Sequence, residues 1–422
     1  MASAARRVYL YIGSAKSGTT YLQEVLWDNR ETLRQQGFLF PGSEWASHVF
    51  ATLDLRRQKM AGDPNPKLID AWRDLTDEVR DWDGPTACIA QEMLAGAGPR
   101  QVEQALTNLS AFAEVHLVWT ARDMARVLPA SWQEWMRNRE LDSFGEYLDA
   151  IQAATPVAGV VPSEAPKSAR QFWSMQNVTG VLAKWGATIP PERVHVVTVP
   201  GAGAPPSQLW ERFASVLGLQ DAQLGAADRP ANASLSAAAA GLLRDFNIGI
   251  GGYDYPWRVY DAAVKHDIAV RMSDVPGARI ELPEDAYDWA RSWSAQAAEQ
   301  LNAAGYHIVG DLTEIMPATR PTGVDPDAAD PTGRAAAGLV AMTNFARRIA
   351  DAENHIFDLD QQLDEARTAL ADAEAIVAEH RALRPMERIK RCGVELAGQV
   401  RWARTAHRIY RRLRRREAVP PA

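Results

Sequence analysis

The sequence predicts an α/β fold built on a parallel sheet, and three observations predict it. Short apolar runs at 8–12, 86–90, 115–120 and 194–199 are each followed by a stretch compatible with a helix. The runs are continuous rather than alternating, which suits strands covered on both faces. Strand and helix then repeat in the order that a parallel sheet requires. Taken along the chain, 8–12 leads into a helical stripe of Leu22, Val25, Leu26, Asn29 and Leu33. Further on, 234–247, 256–273 and 283–304 read as helices, and Gly305 marks the end of the last of these before a final strand at 306–309. The body is expected to span 1–316. Residues 317–334 are rich in Pro, Gly and Asp with few apolar side chains, and read as an extended linker.

Two regions follow the linker. Across 335–384 a seven-residue register carries Ile349, Ile356, Leu363, Leu370 and Val377, with Ala352, Leu359, Ala366, Ala373 and His380 three residues on, so a helical coiled-coil extension and a homodimer are expected. Residues 385–422 form a basic tail in which Trp402, Ala406, Ile409, Tyr410 and Leu413 recur on one helical face among arginines, a pattern suited to an anionic membrane surface.

Composition narrows the function. With 422 residues, 23% charged and 46% hydrophobic, the balance is globular and excludes a wholly disordered, collagenous or coiled-coil chain. Cys88 and Cys392 cannot make a disulfide framework, a Cys-based zinc site or an iron–sulfur site, and their scarcity fits a reducing compartment. Neither an apolar run of membrane-spanning length nor a cleavable signal is visible, so a cytoplasmic protein is expected, peripheral on the inner membrane face if the tail binds there. The net charge of −7 divides into +9 for residues 384–422 and −16 for the rest. An acidic body argues against a nucleic-acid partner.

The chemistry concentrates after the first strand, where Gly13-Ser-Ala-Lys16-Ser17-Gly18-Thr19-Thr20-Tyr21-Leu22-Gln23 opens the first helix. Such a loop offers backbone N–H groups to an anion. Gly13 and Gly18 have the spacing of a Walker A loop, but Thr19 stands where Walker A needs its lysine, and the lysine is at position 16. This order suits a donor with one terminal anionic group better than a kinase's metal-bound triphosphate.

The segment from Ala15 to Gln23 resembles the 5′-phosphosulfate loop of sulfotransferases that use 3′-phosphoadenosine 5′-phosphosulfate (PAPS), which commonly reads PKSGTT; Ala15 replaces the proline. Segments 193–200 and 305–312 are similar to actinobacterial members of that family. The resemblance covers residues 6 to 316 approximately and implies a P-loop-like fold and PAPS as donor; because the departing anion is a stable phosphate and no HExxH or Cys site is present, no metal is expected. The resemblance also implies a donor site of Lys16, Ser17, Gly18, Thr19 and Thr20. The family's 3′-phosphate arginine maps to Arg122, at the end of the strand-like run 115–120. The serine expected eight residues later is Ala130 here, with Ser131 one place further on. The family also places a His or Glu after the strand that follows the first loop–helix unit, which selects Glu92 as the general base, with His48 as the alternative. Lys16 would face the oxygen bridging phosphate and sulfonate.

The acceptor is then a hydroxyl on a carbohydrate, a glycolipid or a small metabolite, lipid-linked if the tail holds the enzyme at a membrane. Two other functions compete: a nucleotide or small-molecule kinase using the same kind of loop, and a non-catalytic nucleotide-binding scaffold assembled through the coiled coil. Tyr253, Tyr255, Trp257 and Tyr260 could line an acceptor pocket or belong to the core.

Overall fold

The computed structural model describes residues 6–58, 65–201, 203–205, 207–220, 222, 224, 234–328, 331–382 and 405–411. The chain divides into two units, Met1–Asn344 and Phe345–Ala422.

The first unit holds a six-stranded sheet. Its members are β1 (Arg7–Tyr11), β2 (Phe38–Leu39), β3 (Thr86–Ala90), β4 (Glu114–Ala121), β5 (Val194–Thr198) and β6 (His307–Val309). They lie in the order β2-β3-β1-β4-β5-β6, and every pairing is parallel. β2 was not foreseen, because two residues give too short an apolar run to separate from the end of a helix.

β1 alternates its side chains between two cores. Val8, Leu10 and Ile12 join one cluster with Trp119, Val196 and Trp185, while Tyr9 and Tyr11 join another with Leu22, Leu26 and Phe213. Each face is closed by helices, which is why the strands read as continuous apolar runs. α1 (Thr19–Asp28) buries Leu22, Val25 and Leu26, then stops at Asn29, and Leu33 falls on α2 (Arg30–Gln35). The single stripe in the sequence is therefore two helices. α3 (Ser47–Leu55), α4 (Ala71–Asp81) and α5 (Pro99–Ser110) lie between β2 and β4 in the chain. α6 (Met124–Arg137), α7 (Phe144–Ala153), α8 (Lys167–Gln176) and α9 (Val178–Trp185) follow β4, and α10 (Ser207–Leu217) follows β5.

α11 (Ala237–Gly249) matches the expectation for 234–247. The stretch 256–273 is helical but uneven, with α12 (Trp257–Tyr260), a π-helical turn at Asp261–Ile268 and α13 (Ala269–Met272). α14 (Glu284–Ala303) precedes β6, and the long α15 (Pro331–Ala382) follows it. Among the described residues, no helix is long and apolar enough to cross a membrane.

Residues 317–328, in the segment expected as a linker, are irregular up to a single 3-10 turn at Pro326–Ala328 and are seated on the body. Val324 N–H donates to Arg279 O at 2.9 Å and Glu281 N–H donates to Val324 O at 3.0 Å. Pro326 is buried and its carbonyl accepts from Arg334 Nη2 at 2.9 Å, in the first turn of α15. Polar, Pro-rich sequence does not distinguish a free segment from one held by backbone hydrogen bonds. Residues 405–411 of the basic tail are helical. Trp402 and Leu413 of its apolar face, like residues 383–404 and 412–422 as a whole, lie outside the described residues.

Candidate functional site

The sheet order reverses direction on either side of β1, which sets the carboxyl ends of β1, β3 and β4 next to one another. That edge is where open α/β sheets bind ligands. The loop after β1 begins as an extension of the sheet: Ile12 N–H donates to Val118 O at 3.0 Å, Thr120 N–H to Gly13 O at 2.7 Å, and Ser14 N–H to Thr120 O at 3.1 Å. Gly13 has φ +141°, and a Cβ there would stand 3.0 Å from Trp119 Cζ3. The chain then turns through Lys16 at φ +62° and Gly18 at φ +89° into α1.

The loop is tied back from outside. Gln176 Nε2, at the end of α8, donates to Ala15 O at 2.7 Å, and Arg122 Nη1 donates to Lys16 O at 2.7 Å. Ser17 is fully buried, its hydroxyl held by Ser14 O and Thr120 Oγ1. It braces the loop from within. Thr19 is buried and Thr20 half-buried at the start of α1. Gly18 caps the helix with no side-chain hydrogen bond, so the first N–H groups of α1 are not claimed by a capping side chain.

Lys16 does not stand alone. Its Nζ lies 2.9 Å from Glu134 Oε2 on α6, and Lys265 Nζ, from the π-helical turn, lies 3.3 Å from Glu134 Oε1. Lys265 also donates to Asn138 Oδ1 at 2.8 Å. Burial raises the Glu134 pKa, but Lys16 and Lys265 outweigh it and hold the carboxyl down at about 2. Each carboxylate oxygen thus has its own lysine. Neither Glu134 nor Lys265 carries a local signal in the sequence, since 118 residues separate Lys16 from its partner.

Arg122 follows β4, and its Nε is buried with no hydrogen-bond partner. Burial, followed by repulsion from Arg126, takes its pKa down to about 10. A buried, partly unpaired guanidinium is costly unless something anionic meets it. Arg122 also lines a cavity of about 700 Å³ together with Arg126, Arg279 and Arg320 and the polar residues Ser234 and Ser273. Among the described residues that line it there is no carboxylate. Asp123 N-caps α6 and pairs with Arg126, while Glu281 lies 3.5 Å from Arg320.

Ala130 lines this cavity and Ser131 does not. The Ser131 side chain instead lies beside the Tyr147 phenol. One residue along a helix is a rotation of about 100°, which carries Ser131 to the other side of α6.

Glu92 leaves the carboxyl end of β3, next to β1: Gln91 N–H donates to Tyr11 O at 3.0 Å. Glu92 Oε2 accepts from Gln23 Nε2 at 3.1 Å, so the last residue of the loop motif orients the carboxylate. His48 has a different fate. Its Nε2 lies 2.7 Å from Pro41 O, and its Nδ1 accepts from Ala90 N–H at 3.0 Å. Burial depresses its pKa to about 4. With both nitrogens bound to backbone it links β3 to the turn after β2, and it is not available as a base. Of the aromatic residues 253–260, Tyr260 is fully buried in the core, Tyr255 and Trp257 are half-buried and Tyr253 is exposed, with the Arg139 guanidinium 4.9 Å from the Tyr253 ring and 4.8 Å from the Trp257 ring.

No family model matches this chain, and no curated protein matches it. Among solved structures it is similar to a sulfotransferase from Alicyclobacillus acidocaldarius, with 14% identity and a TM-score of 0.41 over 72% of this chain and 97% of that one.

Proposed function

We propose that this chain is a sulfotransferase that moves the sulfonate of PAPS to a hydroxyl of a carbohydrate, glycolipid or small metabolite. One observation carries the reading: two anion-binding features share Arg122. On one side is the Lys16 loop with the uncapped start of α1, and on the other is the cavity of four arginines. PAPS has anionic groups at both ends of its ribose, at the 5′-phosphosulfate and the 3′-phosphate, and needs two such features. A nucleoside triphosphate has its charge at one end, and Thr19 stands where a kinase loop carries lysine.

The residues divide the chemistry as follows. The acceptor oxygen attacks sulfur, the bond from sulfur to the bridging oxygen breaks, and the electron pair leaves with the 5′-phosphate. Glu92, oriented by Gln23, takes the hydroxyl proton. Lys16 meets the charge growing on the bridging oxygen. When Lys16 turns toward the donor, Lys265 remains on Glu134, so the carboxylate keeps a cation.

Calorimetry of the intact protein tests this. Adenosine 3′,5′-bisphosphate should bind at least tenfold more tightly than ADP, with or without magnesium, and Arg122→Ala should weaken it by about 2–3 kcal/mol, the scale of a charge-assisted contact. Equal affinity for the two nucleotides, or tighter binding of magnesium-ADP, would return the loop to the kinase reading.

A further inference from the structure

The second unit, taken by itself, contains a surface that sulfonate transfer does not use. α15 runs to Ala382, and from Asp351 to Glu379 its side chains are all exposed. At 1.5 Å per residue, 349–382 is a rod of about 50 Å. Helices in proteins owe most of their stability to packing of an apolar face, and this one holds its apolar face in water. Ile349 is 62% exposed, Ile356 52%, Leu363 47%, Leu370 60% and Val377 48%, at strict seven-residue intervals, with Leu359 48% exposed three places after Ile356. Five large aliphatics on one line, repeating every two turns, form the seam of a left-handed coiled coil.

The charges flanking that seam identify the occupant and its direction. If a second copy lies parallel and in register, each residue just before a seam position faces the residue five places later on the partner. Arg348 then faces Glu353, His355 faces Asp360 and Gln362 faces Arg367, while Ala369 faces Glu374 and Ile376 faces Arg381. No like charges meet, and Arg348 with Glu353 is complementary on both sides of the coil. If the second copy lies antiparallel with the seam fully overlapped, Glu353 faces Glu374 twice and Asp360 faces Arg367 twice, so repulsion offsets attraction, whereas the parallel pairing contains no repulsive pair. Other antiparallel offsets leave seam residues uncovered. Ile349, Ile356 and Val377 are β-branched at the position where such residues favour two strands in a parallel coil.

We infer that residues 349–377 pair with the same segment of a second copy of this chain as a parallel, in-register, two-stranded coiled coil. The alanines at 352, 366 and 373 let the two backbones approach closely around Leu359. The inference stands apart from the enzymatic reading.

Sedimentation equilibrium of the full chain should give twice the mass of one chain at micromolar concentration, and Leu363→Glu should return the single-chain mass while the near-ultraviolet circular dichroism of the body is retained. Glu353→Lys should raise the dissociation constant about tenfold, and Arg348→Glu added to it should restore the parent value. Direction is read by Ile349→Cys in a Cys392→Ser background, with Cys88 silent because it is buried. Oxidation should join two copies if they are parallel, whereas in the antiparallel arrangement the two cysteines would stand about 45 Å apart. A single-chain mass up to on the order of 100 µM, a dimer that survives Leu363→Glu, or the absence of the Ile349→Cys crosslink would each overturn the inference.

Discussion

Both ring nitrogens of His48 are bound to backbone, and burial takes its pKa from 6.5 down to about 4. The folded protein therefore keeps this imidazole neutral where the unfolded chain protonates it. Stability is present above pH 6.5 and declines as pH falls from there toward 4, by about 3 kcal/mol for this group. His195, buried between His116 and His307, is pushed to about 3 and acts in the same direction. Glu134, held at about 2, loses its contribution only as pH falls from its ordinary value near 4.5 toward 2. The window from 6.5 to 4.5 thus belongs to the imidazoles. His48→Gln should lower the melting temperature at pH 7 yet lose less on going to pH 4.5 than the parent does; parallel slopes in calorimetry would reject this account.

At the same scale, two carboxylates should separate by their kinetics. Glu92→Gln keeps shape and should retain affinity for adenosine 3′,5′-bisphosphate while turnover falls about 10² to 10⁴-fold. Glu134→Gln removes the negative charge between two lysines, so KM for the donor should drop while kcat falls about tenfold, because Lys16 loses the partner that positions it. A Glu134→Gln enzyme with KM and kcat both unchanged would leave the ion pair a packing contact.

Elements are set by a few backbone positions. Gly18 both caps α1 and turns the loop, at φ +89°, and a Cβ there would fall 2.5 Å from Leu209 Cδ2. An alanine in the left-handed region costs about 1–2 kcal/mol, and the loop relieves it by changing shape. Gly18→Ala is therefore expected to lose at least tenfold in bisphosphate affinity by calorimetry, with a melting temperature that changes little. Unaltered affinity would show that the loop tolerates the strain and that its amides are not the anion site. The π-helical turn at Asp261–Ile268 is the element that delivers Lys265 to Glu134. Its extra residue per turn is a departure that periodicity cannot show in a stretch this short.

Across the whole molecule, the cavity beside Arg122 draws on four separate stretches of chain. Arg126 comes from α6, Ser234 precedes α11, Arg279 precedes α14, and Arg320 lies beyond β6. Its charge is an assembled property. Arg279→Ala combined with Arg320→Ala should weaken adenosine 3′,5′-bisphosphate about tenfold or more and flatten the dependence of affinity on salt between 50 and 200 mM, while ADP binding changes little. Equal losses for both nucleotides would show that these arginines serve the loop rather than the ribose end.

The sequence by itself determined the parallel sheet, because strands buried on both faces must be apolar throughout; four of its six strands are read within a residue or two from that alone, and β6 from Gly305 at the end of the preceding helix. It also placed the Lys16 loop, Arg122 and Glu92 just after the ends of β1, β4 and β3, because a strand's carboxyl end is recognisable without knowing its neighbours. Tertiary structure decided what those residues meet. His48 became a buried link rather than a base because the chain folded two backbone groups onto its ring. Ser131 turned to Tyr147 because helical rotation left Ala130 facing the cavity. Glu134 and Lys265 reached Lys16, and His116, His195 and His307 formed a hydrogen-bonded row across β4, β5 and β6. Most of these encounters join residues tens to more than a hundred positions apart. Local pattern reports propensity and periodicity, and long-range contact is fixed only when the strands take their order in the sheet.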